Sequence, residues 1–346
     1  MRTPVVINGR AAVRREIGGV ERVARQLATL LPRLDPDRYR VAAPPRLLAH
    51  RMGHLWEQAV LPRLSSEIIY CPAMLGPLRS KRNVICIHDA SAITHPEWYS
   101  KSYATYQERM LPRLAQRARM VITVSRFARN EIADALGLDA SSIEVVRPGV
   151  GEPFSPDADA TAARTAFGLE GPYVLTVGSQ IARKNLEALE PAAEALKARG
   201  IDLVAAGSGR GYMRPGASPV RELGYVDERL LPGLYAGASA FTLPSLYEGF
   251  GLPVLEAMAS GVPVVASNRG ALPEVCGNAA ILVDPVDRTG LAEAIEAAID
   301  DERLRAAGLA RARSFSWERT ARETDALEHR LGRACYSTKH LHRSRL

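Results

Sequence analysis

The stretch from residue 241 to 274, FTLPSLYEGFGLPVLEAMASGVPVVASNRGALPE, leaves the chain few ways to fold. Residues 240–243 are apolar and strand-like, and Pro244 and Ser245 end them. The loop Leu246-Tyr247-Glu248-Gly249-Phe250-Gly251 then opens a predicted helix over 252–260, which Gly261 closes before a second apolar strand at 262–266. Strand, loop, helix and strand in succession form the repeating unit of a parallel sheet. The loop brings two glycines and a carboxylate to the positive end of a helix, where free N–H groups receive oxyanions. Glu248 sits on the loop, and Glu256, eight positions on, sits on the helix.

The same alternation runs through the rest of the chain. Strands are expected at 4–8, 39–43, 67–70, 83–88 and 120–124. Helices are expected at 21–31, at 47–61 in part, at 101–117 and at 127–136. A second series of strands follows at 173–178, 203–206, 220–223, 240–243, 262–266 and 280–283. This pattern predicts α/β domains with doubly wound parallel sheets, whose ligands lie at the carboxyl ends of the strands. Pro148-Gly149 and the polar segment 151–163 read as a linker. A periodic helix from Trp317 to 331 ends the ordered chain, and the basic segment 335–346 is expected to be loose. A length of 346 residues suits two domains. The resulting division is 1–165, 166–316, the helix 317–334 and the tail 335–346.

Composition narrows the function classes. The chain is 47% hydrophobic and 24% charged, as in an ordinary globular protein. A formal charge of +7, with 45 Lys+Arg against 38 Asp+Glu, suits an anionic small molecule, an anionic lipid surface or nucleic acid. With 6% aromatics and no basic-aromatic interleaving, nucleic acid is not expected as a partner. The four cysteines, Cys71, Cys86, Cys276 and Cys335, fit neither a zinc pattern nor a disulfide framework, so buried thiols in a reducing cytoplasm are expected. Residues 1–10 lack the apolar core of a signal peptide, and no run reaches the length of a membrane span. The GSGRG at 207–211 is too short for a dinucleotide fingerprint, and no GxxxxGK[ST] occurs.

Other candidates sit at strand ends. Gly18-Gly19, between the first strand and its helix, is either a plain turn or a place where backbone approaches a phosphate. After Gly178, Arg183 and Lys184 stand where a helix over 185–199 is expected to start. Cations there oppose the helix dipole, which makes sense if an anion binds beside them; a solvated pair is the alternative. Glu248 and Glu256 can accept from sugar and ribose hydroxyls. Two carboxylates also suit a glycosidase pair, but the surrounding loop is built for anions. His88 leaves a strand into DASAITHPEWYS.

Glu248-x7-Glu256 within EGFGLPVLEAMASGVPVVAS closely resembles the signature of the retaining glycosyltransferases of family four. The HD…HPEWYS region, Trp56-Glu57-Gln58 and ITVSRFARNEI resemble a mannosyltransferase-like subgroup. The resemblance covers nearly the whole chain. It implies a GT-B fold, two Rossmann-like domains facing a central cleft, with a final helix crossing back to the first domain. It implies that Gly18 and Gly19 face a donor diphosphate and that Arg183 and Lys184 contact its phosphates. Gly178, Gly249, Phe250, Gly251 and Leu252 then line the donor, Glu248 and Glu256 hold its sugar and ribose, and the turn at Tyr225-Val226 approaches the base. His88 orients the reacting sugar, and His88, Glu248, Arg183 and Lys184 form the catalytic set. The chain departs from some members at Ser179 and Arg147. The implied activity needs no metal and no cofactor beyond the nucleotide sugar, GDP-mannose first and a UDP-sugar as alternative. The implied acceptor is a cell-surface or exopolysaccharide oligosaccharide on a lipid carrier. The expected location is cytoplasmic, with peripheral contact at the inner face of the membrane. A non-catalytic sugar-binding scaffold is the rival from another class.

Overall fold

The computed structural model describes residues 3–45, 52–65 and 67–343, with side chains of the last helix to Leu331. Among the described residues, the strands form two six-stranded sheets, every pairing between neighbouring strands parallel. The first holds β1 Val5–Asn8, β2 Tyr39–Ala42, β3 Ile68–Cys71, β4 Asn83–Cys86, β5 Met120–Thr123 and β6 Ile143–Val145. The second holds β7 Tyr173–Val177, β8 Asp202–Ala206, β9 Arg221–Gly224, β10 Ala240–Leu243, β11 Val264–Ser267 and β12 Ile281–Val283. Their spatial orders are β2-β1-β3-β4-β5-β6 and β12-β11-β10-β7-β8-β9. The central strands β1, β3, β4, β10 and β11 are buried along their whole length. Parallel sheets covered by helices on both faces require this, and it explains the continuous apolar runs in the sequence.

The order reverses direction between β1 and β3 in one sheet and between β7 and β10 in the other. At such a switch the crossovers leave to opposite faces, and a crevice opens beyond the strand ends. The predicted site residues follow these ends: Gly18 and Gly19 come after β1, Gly178 after β7 and Glu248 after β10.

Two crossings join the halves. Val150 N donates to Phe315 O at 3.2 Å. A Cβ on Gly149 would lie 2.2 Å from Ser316 C, so only glycine lets these strands of chain pass. The helix Trp317–Arg343 then packs along the helix Gly19–Leu34 of the first half. Thr320 Oγ1 donates to Arg147 O at 2.8 Å, and an Arg119 N–H donates to Leu331 O at 3.0 Å.

Several expectations need correcting. The supposed linker contains the helix Ala160–Phe167, capped by Asp159, whose carboxylate accepts from Thr161 N at 2.9 Å. This helix packs on Leu231–Ala236 in the second half, so the chain changes halves before the 165/166 division. No continuous helix covers 185–199. Two 3-10 turns, Ala182–Lys184 and Leu186–Leu189, precede an α-helix at Glu190–Ala198. Pro191 is the reason: its ring would clash with the carbonyl four residues back, so it fits only in a helix's first turn. Of the helix expected at 47–61, the structure describes Gly53–Ala59 and a 3-10 turn Leu61–Arg63; residues 47–51 lie outside the described residues. β6 and the helices Arg288–Ala298 and Glu302–Ala312 were not anticipated. The terminal helix runs on to Arg343, through most of the segment expected to be loose, where no proline interrupts it. Residues 344–346 lie outside the described residues.

Candidate active site

The carboxyl ends of β7, β8 and β10 converge on Lys184. Gly207, after β8, has φ +140, and a Cβ there would stand 1.8 Å from Gly178 O. Only glycine allows that backbone contact. A Cβ on Gly178 would in turn meet Lys184 Cε at 2.8 Å. Asn185 adopts the left-handed conformation with φ 55, and its Nδ2 donates to Pro244 O at 3.1 Å and to Pro285 O at 2.8 Å. Those bonds fix the sharp turn after Lys184. Arg183 and Lys184 thus face a carboxylate instead of heading a helix, contrary to the sequence expectation.

That carboxylate is Glu248. Lys184 Nζ lies 2.5 Å from its Oε1, and Arg183 3.5 Å from its Oε2. Ser245 Oγ donates to Oε1 at 2.7 Å. Burial opposes ionisation of Glu248, but Lys184, Arg183 and Ser245 outweigh it and hold the carboxyl down at about 2. Burial likewise pulls the Arg183 guanidinium down, and Glu248 with Tyr99 and Asp89 more than restores it. Arg183 also donates to Tyr247 O at 2.7 Å, which ties it to the loop before Glu248. Two buried cations against Glu248 leave this corner of the cleft positive, although burial, with the charge of Arg183, outweighs Glu248 at Lys184 and pulls its ammonium below its ordinary range.

Glu256 occupies the helix Leu252–Ala259 and is 2% exposed. Tyr235 Oη donates to its Oε2 at 2.9 Å, and Arg22, on the helix Gly19–Leu34, pairs with its Oε1 from the other half. The helix begins after Gly251, whose φ of +104 and approach to Leu272 (2.6 Å from a Cβ) require glycine. Beside Arg22, the Gly18 N–H donates to Glu21 Oε2 at 3.2 Å. Glu21 Oε1 accepts from Arg14 at 3.1 Å and from Arg210, on the loop after β8, at 2.9 Å. Burial raises the Glu21 carboxyl, but Arg210 and Arg14 bring it below its ordinary range. A Cβ on Gly19 would touch Leu252 at 3.5 Å, so the two glycine loops face each other directly. Tyr225 reaches the same loop, its Oη donating to Arg15 O at 3.3 Å, and Val226 beside it is buried.

On the first-sheet side, His88 follows β4 with its Nε2 2.8 Å from Pro72 O. Burial disfavours the imidazolium, but Cys86, the Pro72 carbonyl and Asp89 reverse this and raise it to about 9. A Cβ on Gly249 would meet His88 O at 2.5 Å, and Ser125 Oγ donates to Gly249 O at 2.6 Å. His88 is therefore held against the loop that carries Glu248.

All fourteen residues anticipated from sequence line one cleft of about 520 Å³ between the halves. They are Gly18, Gly19, His88, Gly178, Arg183, Lys184, Tyr225, Val226, Glu248, Gly249, Phe250, Gly251, Leu252 and Glu256. Arg22, Tyr235, Glu21 and Arg210 were missed. Only Arg22 left a trace in the sequence, as a charge one turn beyond the glycine pair on a helix whose apolar stripe excludes it.

Comparison with known proteins agrees with this geometry. The description Glycosyl transferases group 1 matches residues 171–301, and Glycosyltransferase Family 4 matches residues 63–151. An O-antigen chain mannosyltransferase B from Escherichia coli is 34% identical over 304 residues, 80% of this chain and 78% of that protein. A GDP-mannose-dependent alpha-(1-6)-phosphatidylinositol monomannoside mannosyltransferase from Mycolicibacterium smegmatis is 32% identical over 257 residues, 68% of this chain and 66% of its own. The serotype-specific mannosyltransferase WbdA of Escherichia coli is longer; the chain spans 32% of it at 29% identity. Among solved structures, sucrose-phosphate synthase from Thermosynechococcus elongatus superposes with TM-score 0.72 at 20% identity, covering 96% of this chain and 100% of that one. Anabaena HepE, solved with UDP-glucose, gives 0.66 at 19% identity, covering 94% and 99%. Two facing parallel sheets, a positive cleft between their switch points and a relative alike over most of both lengths lead to one assignment: the chain belongs to family 4 of the glycosyltransferases and has the GT-B fold.

Proposed function

We propose that this glycosyltransferase moves mannose from GDP-mannose, with retention at the anomeric carbon, onto a cell-surface or exopolysaccharide oligosaccharide carried on a lipid. The observation behind this reading is the excess positive charge of Arg183 and Lys184 over Glu248 at the β7/β10 switch point, inside the interdomain cleft. The choice of mannose follows the mannosyltransferase relatives. In the reaction, the bond from the sugar C1 to the diphosphate oxygen breaks and a bond from C1 to the acceptor oxygen forms on the same face. The acceptor proton passes to the departing phosphate oxygen. Arg183 and Lys184 neutralise the leaving diphosphate in place of a metal, an electrostatic role most effective in a pre-arranged, partly dry cleft. Gly18, Gly19 and Gly178 let backbone approach the phosphates, and Glu248 accepts from sugar hydroxyls. Glu256 accepts from the ribose, Tyr225 and Val226 border the base, and the His88 imidazolium orients the reacting sugar.

No helix among the described residues is long and apolar enough to cross a membrane. Exposed Met52, Leu55, Val60 and Leu64 belong, with exposed Arg63, to one short helical segment of the first half. Such a segment suits peripheral contact with an anionic cytoplasmic leaflet; unchanged pelleting with anionic vesicles at low salt would count against it.

The test of function is thermal unfolding of wild type and Glu256→Ala against GDP, UDP, ADP and dTDP. A ligand at about a hundredfold its Kd stabilises by about 2.7 kcal/mol. We expect GDP to raise the wild-type midpoint by several degrees and the variant to lose that rise. A response to UDP alone overturns the donor and keeps the class; no response to any nucleotide favours a non-catalytic scaffold.

A further inference from the structure

We propose that Arg210 is a diphosphate-binding residue of the donor site, and that Glu21 competes with the incoming diphosphate for it. This rests on the function proposed above. The charge balance of the cleft motivates it. Glu248 cancels one of the two cations at Arg183 and Lys184, and Glu256 cancels Arg22. Ser179, next to Gly178, adds none. A nucleotide-sugar diphosphate carries more than one negative charge, so a further cation is needed beside it.

Arg210 has the position for this. It follows β8, lines the same cleft, and its side chain is 22% exposed. Its NH2 lies 3.7 Å from where a Cβ on Gly18 would stand, at the turn whose Gly19 faces Leu252. Its other terminal nitrogen donates to Glu21 Oε1 at 2.9 Å and lies 3.4 Å from Tyr212 Oη. The 4%-exposed Glu21 also accepts from Arg14 and from the Gly18 amide. One buried carboxylate therefore gathers two guanidinium groups and a backbone N–H at the glycine turn, donors of the kind an oxyanion of a diphosphate would use. Arg210 belongs to the second half and Glu21 to the first, so exchanging carboxylate for phosphate keeps Arg210 paired while freeing the Gly18 amide.

The test is isothermal titration of GDP and UDP, with guanosine and uridine as controls, into wild type, Arg210→Ala, Arg210→Lys and Glu21→Gln. Matched unfolding midpoints establish that each variant is folded. Arg210→Ala is expected to weaken the diphosphate by about ten- to a hundredfold, the range of one charge-assisted hydrogen bond. Nucleoside affinity stays unchanged, and Arg210→Lys recovers part of the loss. Glu21→Gln is expected to tighten the diphosphate severalfold. Unchanged diphosphate affinity in folded Arg210→Ala overturns the assignment, and equal or weaker affinity in folded Glu21→Gln overturns the competition. If wild type binds neither diphosphate, the proposed function fails and this inference with it.

Discussion

Glu328 gives the protein a stability that falls as pH rises from the acid range toward neutrality. It lies on the terminal helix, completely buried against the first sheet, with Tyr39, Arg38, Asp325 and Tyr70 around it. Tyr39 Oη is 2.7 Å from both Glu328 Oε2 and Asp325 Oδ1, and Arg38 pairs with Asp325 at 2.7 Å. A phenol has one proton, so it serves two carboxylates only if one of them is itself protonated. Burial, and after it the Asp325 charge, favours the neutral Glu328 carboxyl over the opposing Tyr39 and Arg38, and raises it to about 7 from an ordinary 4.5. The folded state therefore binds a proton that the unfolded chain has released between those values, so stability declines as pH climbs from 4.5 to 7 and is level above. At about 1.4 kcal/mol per pH step, the decline is roughly 3 kcal/mol. Glu328→Gln keeps the shape and removes the ionisation. Thermal midpoints of wild type and variant should differ most at pH 8, with the variant higher by roughly 4 °C, and draw together by pH 5. Taking the difference removes the titration of every other group. Parallel curves across that range would refute the reasoning.

Two further outcomes bear on the site. Glu248 is the opposite case: held near 2 from an ordinary 4.5, it contributes stability above pH 4.5 that is lost as pH falls toward 2. Glu248→Gln should cost roughly 3 kcal/mol at pH 7, because Lys184 and Arg183 are left buried without an anion, and its urea midpoint should approach the wild-type value only near pH 2; a deficit that persists undiminished at pH 2 would contradict this. Gly207→Ala should destabilise by at least about 3 kcal/mol in the same titration, since its Cβ would meet the Gly178 carbonyl and its φ suits only glycine. A near-neutral result would mean that the β7 and β8 loops do not hold this contact.

The unit around Glu248 was legible because its signals are local: an apolar strand, a proline stop, paired glycines and a helical repeat. The same locality made the doubly wound parallel sheets and their carboxyl-end loops readable, since alternating strands and helices leave few topologies; the strand order that sets the switch points was not. Pro191 carried a legible signal that a helix over 185–199 could not form, and Asp287 and Asp301, each accepting backbone N–H bonds at a helix start, marked the two helices that were overlooked. β6 is short, with Glu144 in the middle of its apolar run. What no local pattern carries is pairing at long range. Arg22 meets Glu256 across 234 positions and Tyr39 meets Glu328 across 289. A charged residue looks alike in sequence whether it faces water or a buried partner.

The segment His95 to Ser100 shows how a motif can serve a site it does not line. None of its side chains borders the cleft, yet Trp98 and Tyr99 form a buried cluster with Ile181 and Tyr247. Ile181 precedes Arg183 by two positions, and Tyr247 is the residue before Glu248. The Tyr247 ring meets Trp98 and Phe127 edge-on, at 6.1 and 5.4 Å between centroids, and His95 stacks on Trp98 at 4.1 Å. Backbone bonds continue the contact: Ser100 N donates to Tyr212 O at 2.8 Å, and Arg214 N to Trp98 O at 2.9 Å. Arg210 is two residues from Tyr212. An aromatic wedge from the first half thus braces the segments carrying Arg183, Glu248 and Arg210 in the second. Aromatic burial without charge suits this work, because it fixes the spacing of the cleft's cations and carboxylates without adding to their balance. The ion pairs themselves divide differently. Glu248 is neutralised within the second half, whereas Glu256, Glu21 and Glu274 each draw a cation from across the boundary, from Arg22, Arg210 and Arg147. Separating the halves would unpair Glu256 and Glu274, leave Glu21 with Arg14 as its remaining cation, and leave Glu248 untouched. Contact between the halves and the charge balance of the cleft are therefore linked, and under the proposed function an entering diphosphate would compete on the side of Arg210, in the geometry that the aromatic wedge sets.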